Sequence, residues 1–91
     1  MSKKYKILWD DSVISDLKSI DKFTVKKIIN KIEDYLCVDP VNLGKPLRSN
    51  LKGLYRYRFG DYRIIYEIKE SELLILVIRI AHRKEVYDKN I

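Results

Sequence analysis

The chain has 91 residues, 46% of them hydrophobic, and its 19 lysines and arginines outweigh 13 acidic residues to give a net charge of +6. That length sets a single domain over residues 1–91, and the apolar content excludes a disordered chain. One cysteine, Cys37, excludes an internal disulfide, and no apolar run approaches the length of a membrane span.

The N-terminal residues Met1-Ser2-Lys3-Lys4-Tyr5 carry charge with no apolar segment behind them. No secretory signal is expected, and the expected location is cytoplasmic. Tyr5-Lys6-Ile7-Leu8-Trp9 reads as a first strand. Asp10, Asp11 and Ser12 are helix-start residues, and Val13, Ile14, Leu17 and Ile20 then recur at helical spacing. Asp21 is placed to cap a second helix with an apolar stripe of Val25, Ile28, Ile29, Ile32 and Leu36. Its lysines, Lys22, Lys26, Lys27 and Lys31, fall on the outer face.

Pro40 is expected to stop that helix, and residues 40–53 to form a loop carrying Lys45, Arg48 and Lys52. Strands follow at roughly 54–59 and 62–69, with a turn at Lys69-Glu70-Ser71-Glu72. The nearly unbroken apolar run from Leu73 to Ala81 suits a strand placed centrally. A tail from His82 to Asp88 leaves the sheet. The expected fold is α+β in the order β-α-α-β-β-β, a small twisted, mainly antiparallel sheet with two helices on one face.

The hairpin carries the strongest signal. Gly60-Asp61 is a two-residue turn, because glycine accepts positive φ at no steric cost. Phe59 then pairs with Tyr62, and Arg58 with Arg63. Alternation puts Tyr55, Tyr57, Phe59, Tyr62, Ile64 and Tyr66 on one face and Arg56, Arg58 and Arg63 on the other. Like charges opposed across strands weaken a sheet, so their gathering points to an anion, with phosphate as the natural candidate. If Lys69 pairs with Leu73, Arg79 falls opposite Arg63, and a slip of one residue sends it to the other face. The plain alternative is a solvated arginine face.

A second group, His82, Arg83 and Tyr87, falls at the end of the last strand. Cutting RNA without a metal needs a base for the 2′-hydroxyl, stabilisation of the phosphorane charge and an acid for the departing 5′-oxygen. Arginine stays protonated and suits only the second task. Proton transfer is left to His82, Tyr87 or Lys52, and the chemistry alone does not choose among them. No metal site or other cofactor is expected: one cysteine and one histidine cannot hold zinc, and the glycines are too dispersed for a phosphate loop.

Gly60-Asp61-Tyr62-Arg63-Ile64-Ile65-Tyr66 and Ala81-His82-Arg83-Lys84-Glu85-Val86-Tyr87, with the element order, resemble the RelE/ParE superfamily of type II toxins over nearly the whole chain. The resemblance implies a single RelE-like toxin domain that cleaves mRNA in the ribosomal A site, leaving a 2′,3′-cyclic phosphate. It implies Arg63 as phosphate ligand, Arg83 at the transition state and Tyr87 as the terminal catalytic residue; some relatives use a tail histidine where His82 stands. Arg56 and Arg58 occupy places where that branch usually carries lysines, a departure that removes a titratable amine. Lys45, Arg48, Lys52 and Arg79 are expected RNA contacts. The implied partners are mRNA, the ribosome and a RelB-like antitoxin whose segment folds around the toxin. Two alternatives share the fold: a ParE-like toxin that inhibits DNA gyrase without cutting RNA, and a degenerate relative that only binds.

Overall fold

The structure is a computed structural model, and it describes residues 4–47 and 53–82. In chain order the elements are β1 (Lys6–Trp9), α1 (Asp11–Lys18), α2 (Lys22–Asp34), α3 (Pro40–Leu43), β2 (Lys45–Pro46), β3 (Leu54–Phe59), β4 (Tyr62–Lys69) and β5 (Leu74–His82). Single 3₁₀ turns occupy Leu36–Val38 and Glu70–Glu72.

Both long helices start where the sequence places their caps. Asp10 accepts from the Ser12 amide at 3.1 Å and Asp21 from the Thr24 amide at 3.0 Å. Each carboxylate satisfies an amide that the first turn leaves without a helical partner. Those bonds, led by the side-chain hydroxyls of Ser12 and Thr24, hold both carboxyls below their ordinary pKa.

The five strands form one mixed sheet in the order β1-β5-β4-β3-β2, antiparallel except for the parallel β1–β5 pair. β5 is therefore interior, but the middle strand is β4. The core joins Val13, Ile28, Ile32 and Leu36 of the helical layer to Ile64, Tyr66, Ile75, Val77 and Ile80 of the sheet. Tyr55, Tyr57, Phe59 and Tyr62 pack against it, so the expected aromatic face is the one beneath the helices.

The expected loop at 40–53 is not wholly irregular. Pro40 begins α3 instead of merely ending α2, because its missing N–H is no loss in a first turn. α2 has already ended at Asp34. Lys45 and Pro46 then pair with Arg56 and Tyr55 as an edge strand. Two residues of strand are too few for any periodicity in the sequence to show.

β1 pairs with β5 only from Leu74 to Val77. Beyond that point α1 occupies the open edge of β5. Ser12 Oγ donates to the Ile78 carbonyl at 2.6 Å, and the Ile80 amide donates to Asp16 Oδ2 at 2.9 Å. Two side chains one helical turn apart thus substitute for a missing strand.

Candidate nucleic-acid interface

The hairpin forms in the register that its turn dictates. Gly60 adopts φ of 57°, Phe59 lies opposite Tyr62 and Arg58 opposite Arg63. On β2, Lys45 lies opposite Arg56 and therefore shares its face. Lys45, Arg56 and Arg58, with Leu43 and Tyr57, line a concavity of about 310 Å³. Three cationic side chains line a space large enough for a phosphodiester and part of a sugar, and guanidinium forks match phosphate oxygens in pairs.

An anchor that the sequence reading missed positions Lys45. Tyr66 donates its hydroxyl to the Pro40 carbonyl at 2.6 Å beneath α3. Gly44 packs against that phenol so closely that any Cβ would collide with it. The contact seats α3, and with it the start of β2, against the sheet. The available signal was a glycine directly before the edge lysine. Burial pushes the Tyr66 phenol well above its ordinary pKa, and burial followed by the neighbouring Tyr35 raises that of Tyr57. Neither phenol is suited to act as a base.

The remaining site residues fall as follows. Arg58 is exposed and Arg56 half-buried, but Arg63 is only 2% exposed, not on an open surface as expected. It sits on the middle strand, between Arg58 and Ala81, and Ile65 on the same face is also buried. Strand alternation gives the face of a side chain but not its depth.

Arg79 lies opposite Ile65 instead of opposite Arg63. Lys69 pairs with Leu74, one residue beyond the expected partner, and an irregularity between Ile65 and Tyr66 adds a second residue. Two single shifts restore parity, which returns Arg79 to the arginine face and turns Ile80 into the core. Arg79 Nε is then 3.8 Å from Asp16 Oδ2, an ion pair with α1.

His82 lies on the other side of the sheet. It pairs with Tyr62 in an edge-to-face ring contact of 5.4 Å, and Tyr62 packs on the helical side. Ser19 and Ile20 line a small recess with them. The structure does not bring this ring to the arginines. Arg48, Lys52, Arg83 and Tyr87 lie outside the described residues. Among the described residues no three metal-ligating side chains cluster, and no helix is long and apolar enough to cross a membrane.

A five-stranded mixed sheet with helices packed over one face is the fold that this chain shares with solved RelE toxins. Residues 7–87 match the family model of the ParE toxin of type II toxin–antitoxin systems, and the chain belongs to this family, within the RelE/ParE superfamily. Toxin RelE of Mycobacterium tuberculosis is 35% identical over 75 residues, covering 82% of this chain and 77% of that protein. Toxin RelG of the same organism is 26% identical over 83 residues, covering 91% and 95%. Among solved structures, the RelBE2 toxin–antitoxin complex from M. tuberculosis superposes with a TM-score of 0.85 at 26% identity, covering 91% of this chain and 98% of the matched chain. The archaeal RelE–RelB complex from Pyrococcus horikoshii superposes with a TM-score of 0.69 at 25% identity, covering 89% and 97%.

Proposed function

We propose that this type II toxin is an endoribonuclease that cuts mRNA on the ribosome and is neutralised by a RelB-like antitoxin. The observation that carries the reading is the convergence of Lys45, Arg56 and Arg58 on one concavity of about 310 Å³. The relatives named RelE, and the complexes in which such toxins are held by RelB, support it.

In this reading the message lies along β3 with a phosphate in the concavity. The 2′-hydroxyl attacks the adjacent phosphorus, the P–O5′ bond breaks, and the products are a 2′,3′-cyclic phosphate and a 5′-hydroxyl. Arg56 and Arg58 hold the non-bridging oxygens and gain most as charge builds on them, which lowers the barrier. Lys45 holds the next phosphate along the strand. Arg63, one strand further in, is assigned the phosphate oxygen nearest the sheet, and Arg83 the transition-state charge. Arg48, Lys52 and Arg79 extend the electrostatic track. No guanidinium can take the 2′-proton. The packing of His82 against Tyr62 on the helical side favours Tyr87 for proton transfer.

The test is cleavage of a reporter message by the purified chain with programmed ribosomes. Wild type is expected to cut, and Arg58→Ala to lose about 10²–10³ in rate, the usual worth of one donor aimed at developing charge. Intact message with wild type refutes the nuclease. The match to a family named for ParE favours a second reading, inhibition of DNA gyrase without RNA cleavage. Trapped, cleaved DNA in a supercoiling assay, with message left whole, would establish that reading instead.

A further inference from the structure

α2 presents an outer face beside its apolar stripe. Ile28 and Ile32 are completely buried and Val25 and Ile29 half-buried, whereas Phe23, Lys27, Asn30 and Asp34 are exposed. The last two turns of that outer face meet the end of β3 next to the Gly60 turn. Lys27, Asn30, Lys31, Asp34, Tyr35 and Phe59 line a recess of about 390 Å³ there. Phe59 packs on the helical side, so the recess lies across the sheet from Arg58, its neighbour in the chain.

Three kinds of group wall the recess. Tyr35 and Phe59 supply ring surface; Tyr35 is 46% exposed, and a tilted contact with Tyr57 at 6.5 Å steadies it. Lys31 Nζ sits 4.3 Å from the centre of the Tyr35 ring and Lys27 Nζ 4.4 Å from that of Phe23, so each cation is held beside an aromatic face. Asn30 and Asp34 are four residues apart, hence neighbours on one side of the helix. Asp34 ends α2, where a negative charge opposes the helix dipole, so the helix itself does not call for a carboxylate there.

This set matches an unpaired nucleobase with its phosphate. Bases released from pairing stack on aromatic rings and are read along their Watson–Crick edge. Guanine alone offers two adjacent donors on that edge, N1–H and the N2 amino group, which a carboxylate accepts as a pair. Its O6 accepts from an amide such as that of Asn30. Adenine and cytosine turn a ring-nitrogen lone pair toward the carboxylate, and uracil offers one N–H between two carbonyls. Two lysines against one carboxylate leave the recess positive, as a phosphate requires. β2 pairs with β3 at Tyr55 and Arg56, so among the described residues the β3 edge beyond Arg56 carries no strand, and an RNA held at Arg58 can pass round it. We propose that the recess between α2 and the hairpin is a guanine-selective subsite for single-stranded RNA, apart from the phosphates held by Arg56 and Arg58. The inference rests on the RNA reading of the preceding section and adds base recognition to it.

The test measures binding by the full chain of 2′-O-methyl heptamers, which lack the attacking hydroxyl. The strands are oligouridine and oligouridine with a central guanine, inosine or adenine. The guanine strand should bind about tenfold tighter than oligouridine, the usual worth of one paired base contact. Inosine, which lacks the N2 amino group, should lose most of that gain, and adenine should bind no tighter than inosine. Asp34→Asn should erase the guanine preference without weakening oligouridine, whereas Arg58→Ala should weaken every strand alike. In ¹⁵N spectra the guanine strand should shift the amides of Asn30, Tyr35 and Phe59. Equal affinity for all strands, a preference that survives Asp34→Asn, or shifts confined to the arginine face each overturns the subsite and leaves RNA binding standing. Guanosine monophosphate binding tighter than the guanine strand overturns RNA as the occupant. No binding of any strand overturns the subsite and the RNA reading together. Guanine-selective binding by a chain that leaves message whole counts against the nuclease and upholds the subsite.

Discussion

The Ile80 amide and the Asp16 carboxylate meet at 2.9 Å across the edge of β5 that β1 leaves open. This bond falls just after the irregularity that turns Ile80 inward and Arg79 outward, and the same carboxylate reaches Arg79 at 3.8 Å. Asp16 thus fixes both the end of the sheet and the direction of one basic side chain. Asp16→Ala should cost about 1–3 kcal/mol, because a part-buried amide loses a charged acceptor. Urea unfolding reads the loss. Asp16→Asn, which keeps an acceptor oxygen, should cost less.

Arg58 and Arg63 face each other but should respond differently. Arg58 is exposed, so Arg58→Ala should leave stability within about 0.5 kcal/mol while lowering cleavage. Arg63 is 2% exposed, and Arg63→Ala empties a large buried volume, so it should cost about 2 kcal/mol or more in addition to activity. Parallel thermal melts and cleavage rates separate the two. If both variants melt as wild type does, the burial of Arg63 has no energetic weight.

The anchor beneath β2 gives a coupled pair. Gly44→Ala drives a methyl into the Tyr66 phenol and should cost about 1–3 kcal/mol. Tyr66→Phe leaves the Pro40 carbonyl without its donor, at about 0.5–1.5 kcal/mol. Together they should cost less than their sum, since removing the hydroxyl relieves the nearest collision. A double-mutant cycle measures the coupling. Additive costs would mean that the two do not touch.

RNA binding should weaken with salt in proportion to the phosphates held. Removing Lys45 or Arg58, which line the same concavity, should each reduce the slope of log affinity against log salt by about 0.7 for a single strand. Titrations of a short uncleavable RNA at several salt concentrations check this. An unchanged slope would remove that residue from the phosphate track.

Acid should loosen the helix starts. The carboxyls of Asp10 and Asp21 are held below their ordinary pKa by bonds to Ser12 and Thr24. A folded-state pKa below the unfolded one contributes stability that is complete above the unfolded value and fades as pH falls toward the lowered one. Stability should therefore decline below about pH 4. Asp10→Asn with Asp21→Asn keeps capping oxygens that do not titrate, and should flatten that limb in acid denaturation monitored by circular dichroism.

The hairpin was legible to the residue because a two-residue glycine turn admits one register, and the helix starts were legible because caps are local chemistry. Arg79 was misplaced by two residues, one from the register beside the Lys69 turn and one from the bulge, and neither leaves a mark in the residue pattern. The burial of Arg63 was hidden because depth depends on which strand becomes the middle one, a property of the whole sheet. His82, three residues beyond Arg79 on the same strand, falls on the opposite face by alternation alone. Val25 and Ile29 read as core because a stripe too wide for one interface looks like a well-buried one. In each case the missing information was tertiary, while turns and caps were already written in neighbouring residues.

The central claim is that the cationic hairpin cuts message, and mapping mRNA ends after brief induction in cells tests it most directly. Wild type should produce new 5′ ends within translated reading frames, and Arg58→Ala, equally stable, should produce few. Unbroken transcripts during growth arrest by wild type, accompanied by gyrase-linked DNA breaks, would contradict it.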